Sequence, residues 1–410
     1  MGSFKNIVRI SAASVAIGLV VGLIVSIFSL ALTWCNSFRI AHEHLIFLLP
    51  VGGFLIVLIH QLAGVKNPTG TNRVIQRMHE RTYVRWIMAP LIFASTLISQ
   101  FFGASVGREA AALQIGGSVG SEIGKLFKVA EHESPVIIIT GMSAAFSALF
   151  GTPITAVIFA LELEKGRISS AHAILPAVVS SMIARLIAGA LNVSFLVANI
   201  GSPLDFTAEN FLLVFVLGLC CAVLSVAFSQ CTRLMKFLFA KFSDSKYVQV
   251  FMCAFLVIVL TLLVGEQTYN GVGSDTILKC ITDSTFKVAW WACIFKIVFT
   301  AVSLGGGFQG GEIIPALFIG ATFGSFFGSA FGISPTVCAA LGMVGLMAGT
   351  TKCGFASLAM AFELFGIVCP EYFLLIVPIA LFASGPFRIY EKQDLWFARR
   401  NNHRPHFTKP

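Results

Sequence analysis

Two glutamates stand in glycine-rich surroundings in a chain that is short of charge. Residues 103–124 read GASVGREAAALQIGGSVGSEIG and hold Glu109 directly after Arg108; residues 305–328 read GGGFQGGEIIPALFIGATFGSFFG and hold Glu312. Each glutamate is followed by glycine at every fourth position, Gly116, Gly120 and Gly124 in one stretch and Gly320, Gly324 and Gly328 in the other. A helix that starts part-way through a bilayer leaves its first N–H groups unpaired, which is costly in hydrocarbon. An anion can satisfy them, the helix dipole adds positive potential there, and glycines let the backbone come close. A carboxylate at such a start can occupy the place of the anion, and an intramembrane carboxylate is a functional residue by default. Protonation of Glu109 would release it and admit an anion, so proton and anion movement become linked. The plainer reading has Glu109 capping its own helix or pairing with Arg108. Glu312 would relay protons or, more plainly, pair with buried polar groups.

Such chemistry needs a membrane around it, and the composition supplies one. The chain is 57% hydrophobic and 11% charged, against roughly 25% charged in a soluble domain. Apolar runs near the bilayer span recur along its length, too many for one soluble core. The first, residues 8–33, is too long for a signal peptide and lacks a small-residue cleavage site, so no cleavable leader is expected. Ten cysteines show no CxxC pair and most sit in apolar runs, so they read as buried free thiols. The net charge of +9 suits loops facing a cytoplasm and an anionic leaflet. No basic solvated domain for nucleic acid is present, and no His/Cys spacing suits a metal.

Taken in order, a first helix is expected to about residue 35, with Arg39, His42, Glu43 and His44 as a polar link. A second run covers residues 45–63. A basic loop follows at 66–85, with Lys66, Arg73, Arg77, Arg81 and Arg85, which the positive-inside rule assigns to the cytoplasm together with the N-terminus. Spans or part-spans follow at 84–102, 107–127, 135–163 (broken at Gly151-Thr152-Pro153) and 169–191. In the second half they fall at 211–228, 247–265, 289–304, 334–350, 353–368 and 372–383. A basic link with Arg233, Lys236, Lys241 and Lys246, and a polar connector at 266–287, lie between them.

The two halves resemble each other. Residues 141–163 align with 342–364 at an offset of 201, pairing Glu162 with Glu363; the glycine ladders align at 204, and Gly107/Glu109 with Gly310/Glu312 at 203. Related halves with interrupted helices at matching places point to a transport site where the repeats meet. Glu162 and Glu363, ending apolar helices at equivalent places, read as structural pairs near the cytoplasmic boundary.

These residues resemble the CLC family of chloride channels and anion/proton antiporters, over residues 8–390. In that family the first glycine stretch is GREGP or close to it, and its glutamate is the gating glutamate. Gly107-Arg108-Glu109-Ala110-Ala111 gives Glu109 that role by resemblance. The family's chloride-coordinating GSGIP is replaced by Gly70-Thr71-Asn72-Arg73-Val74, and its GxFxP by Gly311-Glu312-Ile313-Ile314-Pro315. The intracellular proton glutamate falls, through Glu162, on Leu163. These departures resemble the fluoride-exporting clade of CLC antiporters, although Ala110 stands where many of that clade have glycine and Ile314 where threonine is common. The resemblance makes Glu109 and Glu312 the gating and proton-coupling residues. It implies an anion site from Thr71, Asn72, Gly107, Arg108 and Ala110 on one side and Gly311, Ile313 and Ile314 on the other. A C-terminal tyrosine adds a hydroxyl in the family. Tyr390, in SGPFRIY, matches best, with Phe387 as competitor, and a neutral hydroxyl suits a site the ion must leave. The plainer readings are an interfacial anchor for Tyr390 and a turn for Thr71 and Asn72.

The expectation is an all-α polytopic membrane protein with a CLC-type inverted-repeat fold and broken half-membrane helices. Its transmembrane domain covers 1–390, with halves at 8–191 and 206–387. A short cytoplasmic tail, 391–410, is too small for a regulatory CBS domain. By resemblance it is a homodimer with a pore in each subunit, in the cell's inner (plasma) membrane with both ends cytoplasmic, expelling fluoride in exchange for protons. Chloride/proton exchange is the next reading, then a chloride channel of the voltage-gated type. No cofactor is implied. Residues 103–107, GASVG, also match the G-x-S-x-G nucleophile elbow of a serine hydrolase, but only His60 and His172 are remotely placed to serve it and nothing orients either. The 305–328 stretch lacks the Lys-Ser/Thr of a phosphate loop. The chain therefore reads as a transporter and not an enzyme.

Overall fold

The computed structural model describes residues 2–65, 70–165, 171–201 and 203–393. These residues form sixteen α-helices in two sets of eight. The first set is α1 (Gly2–Ala41), α2 (Leu49–Leu62), α3 (Thr71–Glu80), α4 (Met88–Phe101), α5 (Glu109–Leu126), α6 (Ser134–Phe150), α7 (Pro153–Lys165) and α8 (Ala171–Ala190). The second is α9 (Ala208–Phe242), α10 (Lys246–Val264), α11 (Ser274–Thr282), α12 (Ala292–Gly305), α13 (Ile313–Phe331), α14 (Pro335–Thr351), α15 (Gly354–Phe365) and α16 (Pro370–Ala383). The sets match member by member: α4 and α12 have 14 residues each, and α6 and α14 have 17. The duplication seen in three segments therefore runs through the whole domain.

Seven of the described helices are long and apolar enough to cross a bilayer, among them α1, α9 and α10. Their outer faces carry Leu19, Leu23, Ile27, Phe251, Phe255 and Leu262 exposed, as lipid-facing helices require once every backbone group is satisfied internally. α4, α12, α14, α15 and α16 are apolar but shorter, the half-spans of a broken-helix fold.

Several expected links are helical. The basic loop at 66–85 contains α3, whose inner face buries Val74, Ile75 and Met78, with Thr71 at its start, and leaves Gln76, His79 and Glu80 exposed. Arg233, Lys236 and Lys241 lie on α9, which runs unbroken past residue 228 because nothing in 229–242 is a glycine or proline. Likewise α1 continues through Arg39, and the 266–287 connector holds α11. The break at residues 151–153 is as expected: Gly151 closes α6 at φ 76° and Pro153 opens α7. Lys66, Ser169 and residues 394–410 of the tail lie outside the described residues.

The glycine ladders bring backbone against backbone. A Cβ on Gly116 would lie 2.2 Å from the Gly141 carbonyl oxygen, and one on Gly320 would lie 2.3 Å from that of Gly342. Thus α5 packs on α6, and α13 on α14, with no side chain between them. Gly320→Ala should lower stability by about 3 kcal/mol, the upper range for overpacking, read as a fall in thermal midpoint in detergent. Gly345→Ala should cost less, because its Cβ meets the Ile376 side chain, which can give, at 3.2 Å.

The two sets are joined by exchanged bonds. Gly107 N–H donates to Gly311 O at 2.8 Å and Gly311 N–H to Gly107 O at 3.0 Å. Ser105 N–H donates to Ser303 Oγ at 3.0 Å, and Gln309 N–H to Ser99 Oγ at 3.1 Å. Glu162 accepts from the N–H groups of Phe355 and Ala356 at the start of α15 (3.2 and 2.9 Å). Glu363 accepts from Ile154 and Thr155 at the start of α7 (2.9 and 2.7 Å). Such reciprocity, i to j and j to i, is what a two-fold axis imposes. The structural role read for Glu162 and Glu363 takes this form, each carboxylate capping the other half's helix.

Candidate functional site

The double bond between Gly107 and Gly311 fixes the starts of α5 and α13 against each other. Arg108 is the N-cap of α5 and Glu312 the N-cap of α13. The register across the site is therefore 204, Gly107 with Gly311, and not the 203 read from the glutamates. Glu312 answers structurally to Arg108, and Glu109 to Ile313. Two glutamates one step out of register are what the backbone pairing leaves: one lies inside the junction, the other beside it.

Glu109 is fully buried. One carboxylate oxygen accepts from the Arg108 N–H at 2.8 Å, and the other from the N–H of Ile313, the first residue of α13. Its carboxylate thus caps both helices at once, at the place where two dipoles are most positive. Room for it comes from missing side chains. A Cβ on Gly107 would lie 2.4 Å from Glu109 Oε2, and one on Gly311 would lie 2.1 Å from Oε1. Ala110, also buried, follows in the first turn of α5, and its N–H has no helical carbonyl four residues back. Ile314 is buried at the start of α13.

Arg108 does not clamp Glu109 with its side chain. Its guanidinium reaches α1, donating to Ser29 Oγ at 3.1 Å, and its Nε is buried without a partner. Gln100, on α4, supports the loop by donating to the Gly107 carbonyl at 3.3 Å. Ser105, the serine of the elbow-like motif, shares a hydrogen bond with Thr300 at 3.1 Å. His60 sits in α2, bonded to the Ile56 carbonyl.

Two further hydroxyls are buried without partners. Tyr390 is 2% exposed, its hydroxyl has no hydrogen-bond partner, and it lies within electrostatic range of both Glu312 and Glu109. Thr71, first residue of α3, is likewise buried with an unpartnered hydroxyl. Buried hydroxyls are rarely left unpaired. Asn72 is differently engaged: its Oδ1 accepts from the Lys392 N–H at 3.2 Å, tying α3 to the segment after α16. Glu312 is half-buried, and the nearby opposite charge is Lys236 on α9. Phe387, the competitor to Tyr390, is half-exposed. Sequence reading missed Ser99, Ser303 and Gln100, which brace the loops. The serines could have been found, since Ser99 and Ser303 stand at the same 204 offset as the ladders.

The family model "Voltage gated chloride channel" matches residues 52–385. A "Chloride/fluoride channel protein" of Pseudomonas syringae pv. tomato is 30% identical over 404 residues, covering 95% of this chain and 86% of the relative. An "H(+)/Cl(-) exchange transporter ClcA" of Vibrio cholerae serotype O1 is 25% identical, covering 86% and 75%. Among solved structures, a crystal structure of a CLC-type fluoride/proton antiporter superposes with a TM-score of 0.89 at 28% identity, covering 94% of this chain and 97% of that one. A slow cyanobacterial Cl−/H+ antiporter shares the fold at a TM-score of 0.76 and 18% identity, covering 93% and 96%. With its glutamate between two helix starts and its family model spanning most of the domain, this membrane protein belongs to the voltage-gated chloride channel (CLC) family.

Proposed function

We propose that the protein exchanges a small anion for protons, with fluoride preferred over chloride, and that the direction of use is export from the cytoplasm. The observation that carries this is the Glu109 carboxylate, whose two oxygens take backbone N–H groups from the starts of two different helices. A carboxylate in that position is a tethered anion. Once protonated it holds its two donors more weakly, because one oxygen becomes a donor itself, and a free anion can replace it. The anion is held by the same N–H groups, with Gly107, Ala110, Gly311 and Ile313 giving backbone, and Thr71 and Tyr390 giving hydroxyls. Glu312, beside the junction and facing Lys236, carries protons between Glu109 and the cytoplasmic side, where Leu163 offers no carboxylate. Arg108 and Asn72 hold the cradle in shape. Support for fluoride comes from the relatives named for it.

One observation favours chloride/proton exchange as the second reading: Ile314 puts an apolar side chain at the start of α13. On the family likeness, the protein works as a homodimer with one pore per subunit, in the inner (plasma) membrane with both ends cytoplasmic. Its transmembrane domain covers 1–390 in two halves, 8–191 and 206–387, with 391–410 as tail. No catalytic chemistry on substrate is proposed.

Efflux from proteoliposomes, followed with fluoride, chloride and pH electrodes in parallel, decides among these. Fluoride should leave about tenfold faster than chloride or more, a difference of only ~1.4 kcal/mol, with protons moving the opposite way. Equal or reversed rates would move the assignment to chloride; anion flux without protons would make the protein a passive channel.

A further inference from the structure

Tyr390 lies beyond the last helix, on a segment with no regular hydrogen-bonding of its own, so its position must be set by ties to the rest of the fold. Those ties come from four directions. Ile389 N–H donates to the Thr350 carbonyl at the end of α14 at 3.0 Å. Lys392 N–H donates to Asn72 Oδ1 on α3 at 3.2 Å. Gln393 Nε2 donates to the Glu162 carbonyl on α7 at 3.4 Å. From α9, the Arg233 guanidinium donates to the Arg388 carbonyl at 2.7 Å and faces the Glu391 carboxylate at 3.5 Å. The segment is knotted as well: Arg388 Nε donates to the Tyr390 carbonyl at 3.0 Å and its NH2 to the Glu391 carbonyl at 3.2 Å. Inside this knot the phenol is buried and its hydroxyl unpaired.

The bond from Arg233 is the shortest of the ties from outside the segment, and its donor is charged, which makes it about twice as strong as a neutral one. It acts on the carbonyl two residues before Tyr390. The Glu391 contact is exposed on both sides and adds little. Arg233's partners are Gln230, Arg388 and Glu391, none of them at the junction of α5 and α13, yet it fixes the backbone that carries the Tyr390 hydroxyl. We infer that Arg233 is a positioning residue for the anion, acting through the Arg388 carbonyl to hold the Tyr390 hydroxyl toward the Glu109 site. This rests on the reading of that site as the anion site.

The test is transport kinetics in proteoliposomes of the full chain, with anion KM and maximal rate measured for Tyr390→Phe, Arg233→Ala, Arg233→Gln and the double variant Arg233→Ala/Tyr390→Phe. Losing one hydrogen bond to an anion should raise KM about tenfold in Tyr390→Phe. Arg233→Ala should raise it about threefold to tenfold, with little change in maximal rate. The double variant should match Tyr390→Phe alone, because groups acting in series are not additive. Arg233→Gln, whose amide can still donate to the Arg388 carbonyl, should recover most of the loss. A general structural role would instead multiply the two effects and would not be rescued by one donor. Multiplied effects, or an unchanged KM in Arg233→Ala beside a raised one in Tyr390→Phe, overturn the inference alone. An unchanged KM in Tyr390→Phe removes Tyr390 from the anion site and the inference with it. If Arg233→Ala does not reach the membrane, Arg233→Met, which keeps an apolar stem and loses the donor, carries the same comparison with and without Tyr390→Phe.

Discussion

Glu109→Gln is expected to stop proton transport in proteoliposomes, down to the background of protein-free vesicles, while anions still cross. Glutamine has the shape of the acid but cannot carry a proton through the cycle. It also cannot reproduce the carboxylate's bonding. One of its terminal atoms is an NH2 donor, and it would face either the Arg108 N–H or the Ile313 N–H, both donors already. A donor aimed at a donor in a buried site is costly, so the side chain should leave the junction and open it to the anion. Anion flux should stay within about tenfold of the unmodified protein, since a neutral side chain competes less for the same N–H groups. Proton transport that persists at the original ratio would remove Glu109 from the coupling step.

Gly311→Ala should have an effect of similar size for a different reason. The added methyl carbon would lie 2.1 Å from Glu109 Oε1, 2.3 Å from its Cδ and 2.9 Å from the Ala110 nitrogen. Real carbons do not approach so closely, and the neighbours here are a pinned carboxylate and backbone, not the loose end of a side chain. Either the carboxylate is pushed out or the paired bonds between Gly107 and Gly311 open. Both outcomes separate the acid from the N–H groups it must leave and retake. Coupled exchange should fall about a hundredfold, equivalent to the ~3 kcal/mol at the top of the overpacking range. Elution as a single species and a thermal midpoint close to the original would show that the loss lies in the site and not in folding.

Much of this architecture could be read from residue order alone. Glycine at every fourth position lets two helices pack closely, and the ladders fall where Gly116 meets Gly141 and Gly320 meets Gly342. The break at Gly151-Thr152-Pro153 was legible because an αL glycine and an N1 proline each act locally. The exact register was not legible, because it depends on which loop residues pair across the two-fold axis. The sequence offset of 203 pairs Glu312 with Glu109, whereas the bond between Gly107 and Gly311 puts it opposite Arg108. The exchange of caps between Glu162 and Glu363 was likewise out of reach, since it needs two helices some 190 residues apart to lie side by side. α9 reaches further than its charge pattern suggests, because the lysines and arginines near its end resemble a solvated link although they are also good helix formers. Arg233 is one of those charges, and its bond to the Arg388 carbonyl spans 155 residues.

Direct competition between a carboxylate and an anion for the same N–H groups has a thermodynamic signature. Protonation weakens the hold of Glu109 on those groups, so anion affinity should rise as pH falls, by up to about tenfold per pH unit for one linked proton. In Glu109→Gln, which has no proton to gain, affinity should not vary with pH. Titration calorimetry of fluoride binding to the purified protein across a pH series, in both forms, makes the comparison. Tighter binding at lower pH in the unmodified protein with a flat profile in Glu109→Gln is the predicted result; a flat profile in both, or the same slope in both, would contradict the account.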